Sequence, residues 1–222
     1  LLSALLMALK ALLGGDIFHI ILEGHGRETI DKTLDLSHTI GWFTSKYPLW
    51  LSVGERIGER DDIAQTIMTI KEACRAIPNN GIGYGLLALQ DNALPSLSSE
   101  AWGKTAVVFN YLGQFDQSAD ESSDFTLASE FAGDLNDERR QRHHLLGLNG
   151  LVSGGELQFT LDYSTDQFNQ DTMNTLAASL QAGLEQVIYH CVEQQTTVYT
   201  PSDFPLARLS SADLIQLQQD HQ

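Results

Sequence analysis

A short apolar, β-branched run, Ile17 to Leu22 (IFHIIL), leads without a spacer into Glu23-Gly24-His25-Gly26-Arg27-Glu28. Such a run is read as a strand buried on both faces, and it ends at a carboxylate between the apolar run and two glycines. A chain built this way needs layers on both sides of a sheet. The flanking segments supply them. Leu1 to Leu13 is nearly all apolar and stops at Gly14-Gly15 in the manner of a helix end. Ile63, Ile67, Ile70, Cys74 and Ile77 recur at helical spacing in a helix opened by Arg60-Asp61-Asp62 and closed by Pro78-Asn79-Asn80-Gly81. Leu176, Leu180, Leu184, Val187 and Cys191 form the stripe of a long third helix, and a short helix begins near Ser211.

Further strands are expected at Thr39 to Thr44, Leu49 to Val53 and Thr105 to Leu112 (TAVVFNYL). Two more, His144 to Val152 and Glu156 to Tyr163, would join at Gly154-Gly155. The second of these alternates Leu157, Phe159, Leu161 and Tyr163 on one face. Gly81 to Gly85 is read as a tight turn before the apolar Leu86 to Leu89, and the acid-rich stretch from Gln117 to Arg142 as a long surface loop. Alternating strands and helices with a late hairpin predict an α/β fold: a mixed β-sheet covered by helices. The length fits one large domain or two small ones, and no repeat, low-complexity tract or flexible linker argues for two independent domains.

The 222 residues carry 13 Lys plus Arg against 29 Asp plus Glu, a net charge of −16. No basic stripe is present to neutralise phosphates, which argues against nucleic acid and against an anionic membrane surface. The apolar start is too short to span a bilayer, and its Lys10 lies within the run instead of ahead of it as in a signal peptide. The lack of an initiator Met predicts a start inside a longer polypeptide. Cys74 and Cys191 are too few for a disulfide framework or a thiolate metal site; both are expected to be buried, and the usage suits a reducing, cytoplasmic setting.

Taken locally, Glu23 at a strand end is a carboxylate poised for acid or base work, or one half of a Glu–Arg ion pair at a strand-to-loop junction. A metal reading of His25 with Glu23 and Glu28 finds no other ligand cluster, so no metal is expected. Gly81 to Gly85 lacks the Lys and Ser/Thr of a phosphate loop. His143-His144 invites a catalytic reading but falls at a strand entrance, where a structural role is preferred. No G-x-S-x-G elbow occurs.

Six motifs in order go further than any one of them. They are EGHGRE (Glu23 to Glu28), DLSHTIGWFTSKYP (Asp35 to Pro48), PNNGIGYG (Pro78 to Gly85), FNYLGQFD (Phe109 to Asp116), HHLLGLNG (His143 to Gly150) and YTPSDFPL (Tyr199 to Leu206). Over essentially the whole chain this resembles the second half of an epimerization domain of non-ribosomal peptide synthetases, within the condensation-domain superfamily. Two departures stand out: His38 where Arg is frequent, and Gly147 where an acid is common.

The resemblance implies the C-terminal lobe of a two-lobed, chloramphenicol-acetyltransferase-like fold, filling residues 1–222. The family's HHxxxDG motif belongs to an N-terminal lobe and is absent from this sequence. It further implies an isomerase that interconverts L- and D-aminoacyl or peptidyl thioesters by removing and returning the Cα proton. The substrate would arrive on the phosphopantetheine arm of a peptidyl carrier protein, with no cofactor bound by the lobe itself. By resemblance Glu23 is one acid/base group, Asn110 and Tyr111 lie near the active site, and Arg27 and His25 support Glu23. Neighbouring synthetase domains and the missing lobe are the implied partners; the lobe alone is expected to be inactive and open to self-association through uncovered apolar surface. Condensation, with peptide bond formation, and a non-catalytic carrier-docking lobe are the alternatives.

Overall fold

A computed structural model describes residues 1–52, 62–90, 107–114 and 144–220, together with 130, 133, 137 and 142. The first segment forms helix α1 (Leu2–Leu13), whose residues from Ser3 to Leu9 are all buried. A helix apolar on every side has no face to give to water, and each buried leucine contributes about 2 kcal/mol. Gly14, at φ 68°, ends it by returning its N–H to the Lys10 carbonyl.

Strand β1 (Ile17–Gly24) follows as expected, with Ile20, Ile21 and Leu22 buried. Strand β2 (Ser45–Ser52) starts earlier than the sequence suggests and runs through Pro48. It lies at the sheet edge, where a missing N–H costs no ladder bond. No strand forms at 39–44: Ile40 and Trp42 are 101% and 91% exposed, so the alternation there answers to no neighbouring strand.

Helix α2 (Ile63–Arg75) buries Ile63, Thr66 and Ile70, and the turn Pro78–Gly81 with left-handed Asn79 and Asn80 follows it. The apolar Leu86 to Leu89 proves to be part of a short helix, α3 (Tyr84–Leu89). Strand β3 (Val107–Gln114) is next; Arg60, Asp61, Thr105 and the bulk of the acid-rich stretch from 117 onward lie outside the described residues. The hairpin is β4 (Leu146–Ser153) and β5 (Glu156–Tyr163), antiparallel, with Gly154 and Gly155 at positive φ in its turn.

The five strands form one mixed sheet in the order β2-β1-β3-β4-β5, with β1, β3 and β4 parallel. Gly150 stands opposite Phe159, and a Cβ there would lie 2.4 Å from Phe159 Cε1, so the ring covers the bare backbone.

Helix α4 (Gln170–Glu193) buries Met173, Leu176, Leu180 and Gly183 and packs along α1; helix α5 (Ser211–Asp220) closes the described chain. Both cysteines depart from expectation. Cys191, in the last turn of α4, is exposed because the buried stripe ends before that turn, and Cys74 is half-buried, its thiol pushed up by burial. Among the described residues no helix is long and apolar enough to cross a membrane.

The chain gathers into two compact units of interleaved segments. One comprises Leu1–Phe18, Leu49–Gly81 and Gln170–Gln222; the other comprises His19–Pro48 and Ile82–Asn169. Interleaving explains why no linker marks a boundary in the sequence. Within the first unit, Lys71 and Arg75 of α2 both pair with Asp203, and Glu72 accepts from Ser202 Oγ. These contacts tie the Thr200–Asp203 turn to α2. Asp203 also accepts the Thr200 N–H in a capping box. Hydrogen bonds from Lys71, the Thr200 backbone and Arg75 hold its carboxyl well below the usual carboxylate range.

Candidate active site

The candidate residues all lie in the second unit: Glu23 at the C-terminal end of β1, His25 and Arg27 in the loop after it, and Asn110 and Tyr111 in the middle of β3. Glu23 is the penultimate residue of β1, and its side chain keeps 17% exposure. Leu22–Phe109 is the last registered pair of β1 and β3, and Glu23 and Asn110 each follow it by one residue on the same face as each other. Asn110 is in turn registered with Asn149 of β4, and Asn149 with Thr160 of β5. Because registered residues share a face, these four form a polar row across one face of the sheet. Tyr111 follows Asn110 on β3, stands opposite Gly150 and is 41% exposed. Strand alternation carries it to the other face from Asn110. Among the described residues neither Asn110 nor Tyr111 hydrogen-bonds Glu23.

Glu23 does form an ion pair, but not with the arginine of its own loop. Lys46 Nζ of β2 lies 2.7 Å from Glu23 Oε1. Arg27 instead donates to the Leu36 carbonyl at 2.6 Å and stacks over the Phe43 ring at 4.2 Å. His25 accepts the Arg27 N–H at its Nδ1 and pairs with Glu28 through Nε2 at 3.2 Å. The two supporting residues read from the sequence thus shape the loop after β1 and leave Glu23 to a cation from another strand. Gly26, at φ 66°, completes the turn.

Sequence reasoning missed Lys46 and gave His144 a structural role at a strand entrance. Lys46 is invisible as a partner because cross-strand neighbours are far apart in sequence. His144 stands just before β4 and lies against Gly147: a Cβ on Gly147 would lie 3.4 Å from His144 Nε2 and 3.4 Å from Asp162 Cβ. Burial pushes the His144 imidazole down, helped by the charges of Arg142 and Lys46 and opposed by Asp162 and Glu23. Arg142 in turn pairs with Asp162 at 2.6 Å. His143 lies outside the described residues. The result is a polar sheet face bearing one half-buried carboxylate, its lysine partner and a histidine held toward its neutral form. Such a set can accept a proton and stabilise developing negative charge.

The family model described as "Condensation domain" matches residues 1–209. Bacitracin synthase 3 of Bacillus licheniformis is 37% identical over 205 residues, which are 92% of this chain and 3% of that protein. Among solved structures, the epimerization domain from the third module of tyrocidine synthetase B superposes with a TM-score of 0.73 at 34% identity. That match covers 87% of this chain and 42% of the other. A condensation domain of the enacyloxin polyketide synthase, described as mediating chain release, is similar in fold alone, at 12% identity and a TM-score of 0.55. That likeness covers 90% of this chain and 37% of the other. The chain therefore spans less than half of the solved epimerization domain and a small fraction of the curated relative.

Proposed function

Because this chain belongs to the condensation-domain family, with a mixed-sheet fold of the chloramphenicol-acetyltransferase type, we propose that it forms the C-terminal lobe of an epimerization domain in a non-ribosomal peptide synthetase. The substrate is an aminoacyl or peptidyl thioester carried on the phosphopantetheine arm of a peptidyl carrier protein. Glu23 takes the Cα proton and becomes a neutral carboxyl. The C–H electron pair moves onto the thioester carbonyl to give an enolate, and a proton returned from the opposite side sets the other configuration. The second proton-transfer group is the histidine of the HHxxxDG motif, supplied by the companion lobe.

The observation that carries this reading is Glu23 itself: a half-buried carboxylate at a parallel strand end, beside Asn110 and paired with a cation. The 34% identity to an epimerization domain supports it over condensation, since the condensation domain described above matches only in fold. Asn110 is proposed to orient the thioester. Tyr111, which the resemblance also assigns to the active site, lies on the other face of β3 from Asn110 and is proposed only as a secondary group.

Chiral analysis tests the reaction type. The synthetase module carrying this segment is charged with single L-aminoacyl thioesters, and the amino acid is released by mild base and resolved. Epimerization gives a mixture of L and D forms from one loaded carrier. Formation of a dipeptide only when donor and acceptor carriers are both present would favour condensation, the reading that the family model's description favours.

A further inference from the structure

We infer that Lys46 is a positioning residue for Glu23, fixing the carboxylate that removes the Cα proton; the inference rests on the epimerization reading above. The geometry is a cross-strand pair between β2 and β1, with Nζ 2.7 Å from Oε1. Oε2 has no hydrogen-bond partner among the described residues. A glutamate carboxylate turns easily about its last torsion, since that sp³–sp² bond has broad, two-fold preferences. A charge-assisted contact at one oxygen removes that freedom and leaves the other oxygen as the base.

Among the described residues no other cation takes this place. Arg27 is spent on Leu36 and Phe43, and Arg142 on Asp162. His25 is engaged by Glu28. The exposures fit the assignment: Glu23 keeps 17% and Lys46 47%, so the ammonium is solvated on one side while the carboxylate is largely shielded. Lys46 is the second residue of β2, just after the 27–44 loop.

The test uses the synthetase module that carries this segment, with its carrier loaded separately with L-alanyl, L-leucyl and L-phenylalanyl thioesters. Exchange of the α-proton in deuterated buffer is the readout. Lys46→Met is expected to lower kcat for exchange about tenfold or more, the factor corresponding to one lost charge-assisted contact, with KM for the loaded carrier unchanged. Lys46→Arg retains most of the rate. Ethylammonium added to Lys46→Ala restores part of it and leaves the wild type unaffected, a response that a purely structural role would not produce. Wild-type kcat in Lys46→Met, or a loss that neither arginine nor ethylammonium restores, overturns the inference while the epimerization reading stands. No exchange by the wild type on any of the three thioesters overturns that reading, and the inference with it.

Discussion

A Cβ placed on Gly26 would lie 1.5 Å from the carbonyl oxygen of Phe43, so the turn after β1 and the 35–44 loop are in backbone contact that only glycine permits. The same loop is held from the other side by the Arg27 guanidinium on the Leu36 carbonyl and the Phe43 ring. Gly26→Ala must therefore displace backbone, and its φ of 66° adds about 1 kcal/mol of strain. Faster amide hydrogen exchange is expected over residues 36–43, with α1 and α4 unaffected. Unaltered protection of that loop would show the contact to be dispensable.

Helices α1 and α4 cross at small residues. A Cβ on Gly183 would meet the Ala4 carbonyl oxygen at 3.2 Å and Ala4 Cα at 3.3 Å. Gly183→Leu is expected to destabilise the protein by about 2 kcal/mol or more, because a large side chain has to part the two helices. Urea unfolding measures it; a loss below half that value would mean that α4 slides freely past α1.

The Lys71–Asp203–Arg75 cluster ties the Thr200–Asp203 turn to α2. Asp203→Asn should lower Tm at pH 7, and Lys71→Met should add less in the Asp203→Asn background than in the wild type, since one shared interaction is lost once. Full additivity of the two substitutions in thermal melts would contradict a shared network. The sign with pH follows from the depressed carboxyl: its contribution is complete above the usual aspartate value of 3.8 and is lost as pH falls through the folded-state value.

His144 acts on the same acid side of the pH profile, at higher pH than Asp203. Burial pushes its folded-state pKa below the usual 6.5, so the unfolded chain binds this proton more readily. Stability falls as pH drops below about 6.5 and stops falling from this source once the folded-state value is passed. His144→Gln is expected to flatten that part of the Tm-versus-pH curve. A curve identical to that of the wild type between pH 7 and pH 5 would show His144 to be without effect.

Particular residues show what the sequence could and could not reveal. Ile17 to Leu22, Leu1 to Leu13 and the Gly154-Gly155 hairpin were legible because burial there follows from local apolar pattern and turn chemistry. Thr39 to Thr44 has a strand's alternation but no strand beside it, and periodicity alone cannot supply a partner. Pro48 reads as a break, yet sits within β2 because that strand is an edge. Glu23 was singled out by its place after an apolar run. Its pairing with Lys46 instead of Arg27 depends on which strands adjoin, and that is a property of the sheet order. His144 beside Gly147 and Asp162 likewise needed three-dimensional register.

The most direct measurement of the central claim is α-proton exchange in deuterated buffer by the synthetase module carrying this segment, wild type against Glu23→Gln, with a carrier-loaded L-aminoacyl thioester. Glu23 as the base predicts deuterium at Cα with the wild type and a loss of about a hundredfold or more in Glu23→Gln, with carrier affinity nearly unchanged. Exchange by Glu23→Gln at the wild-type rate would contradict the account and reduce Glu23 to a partner in a structural ion pair.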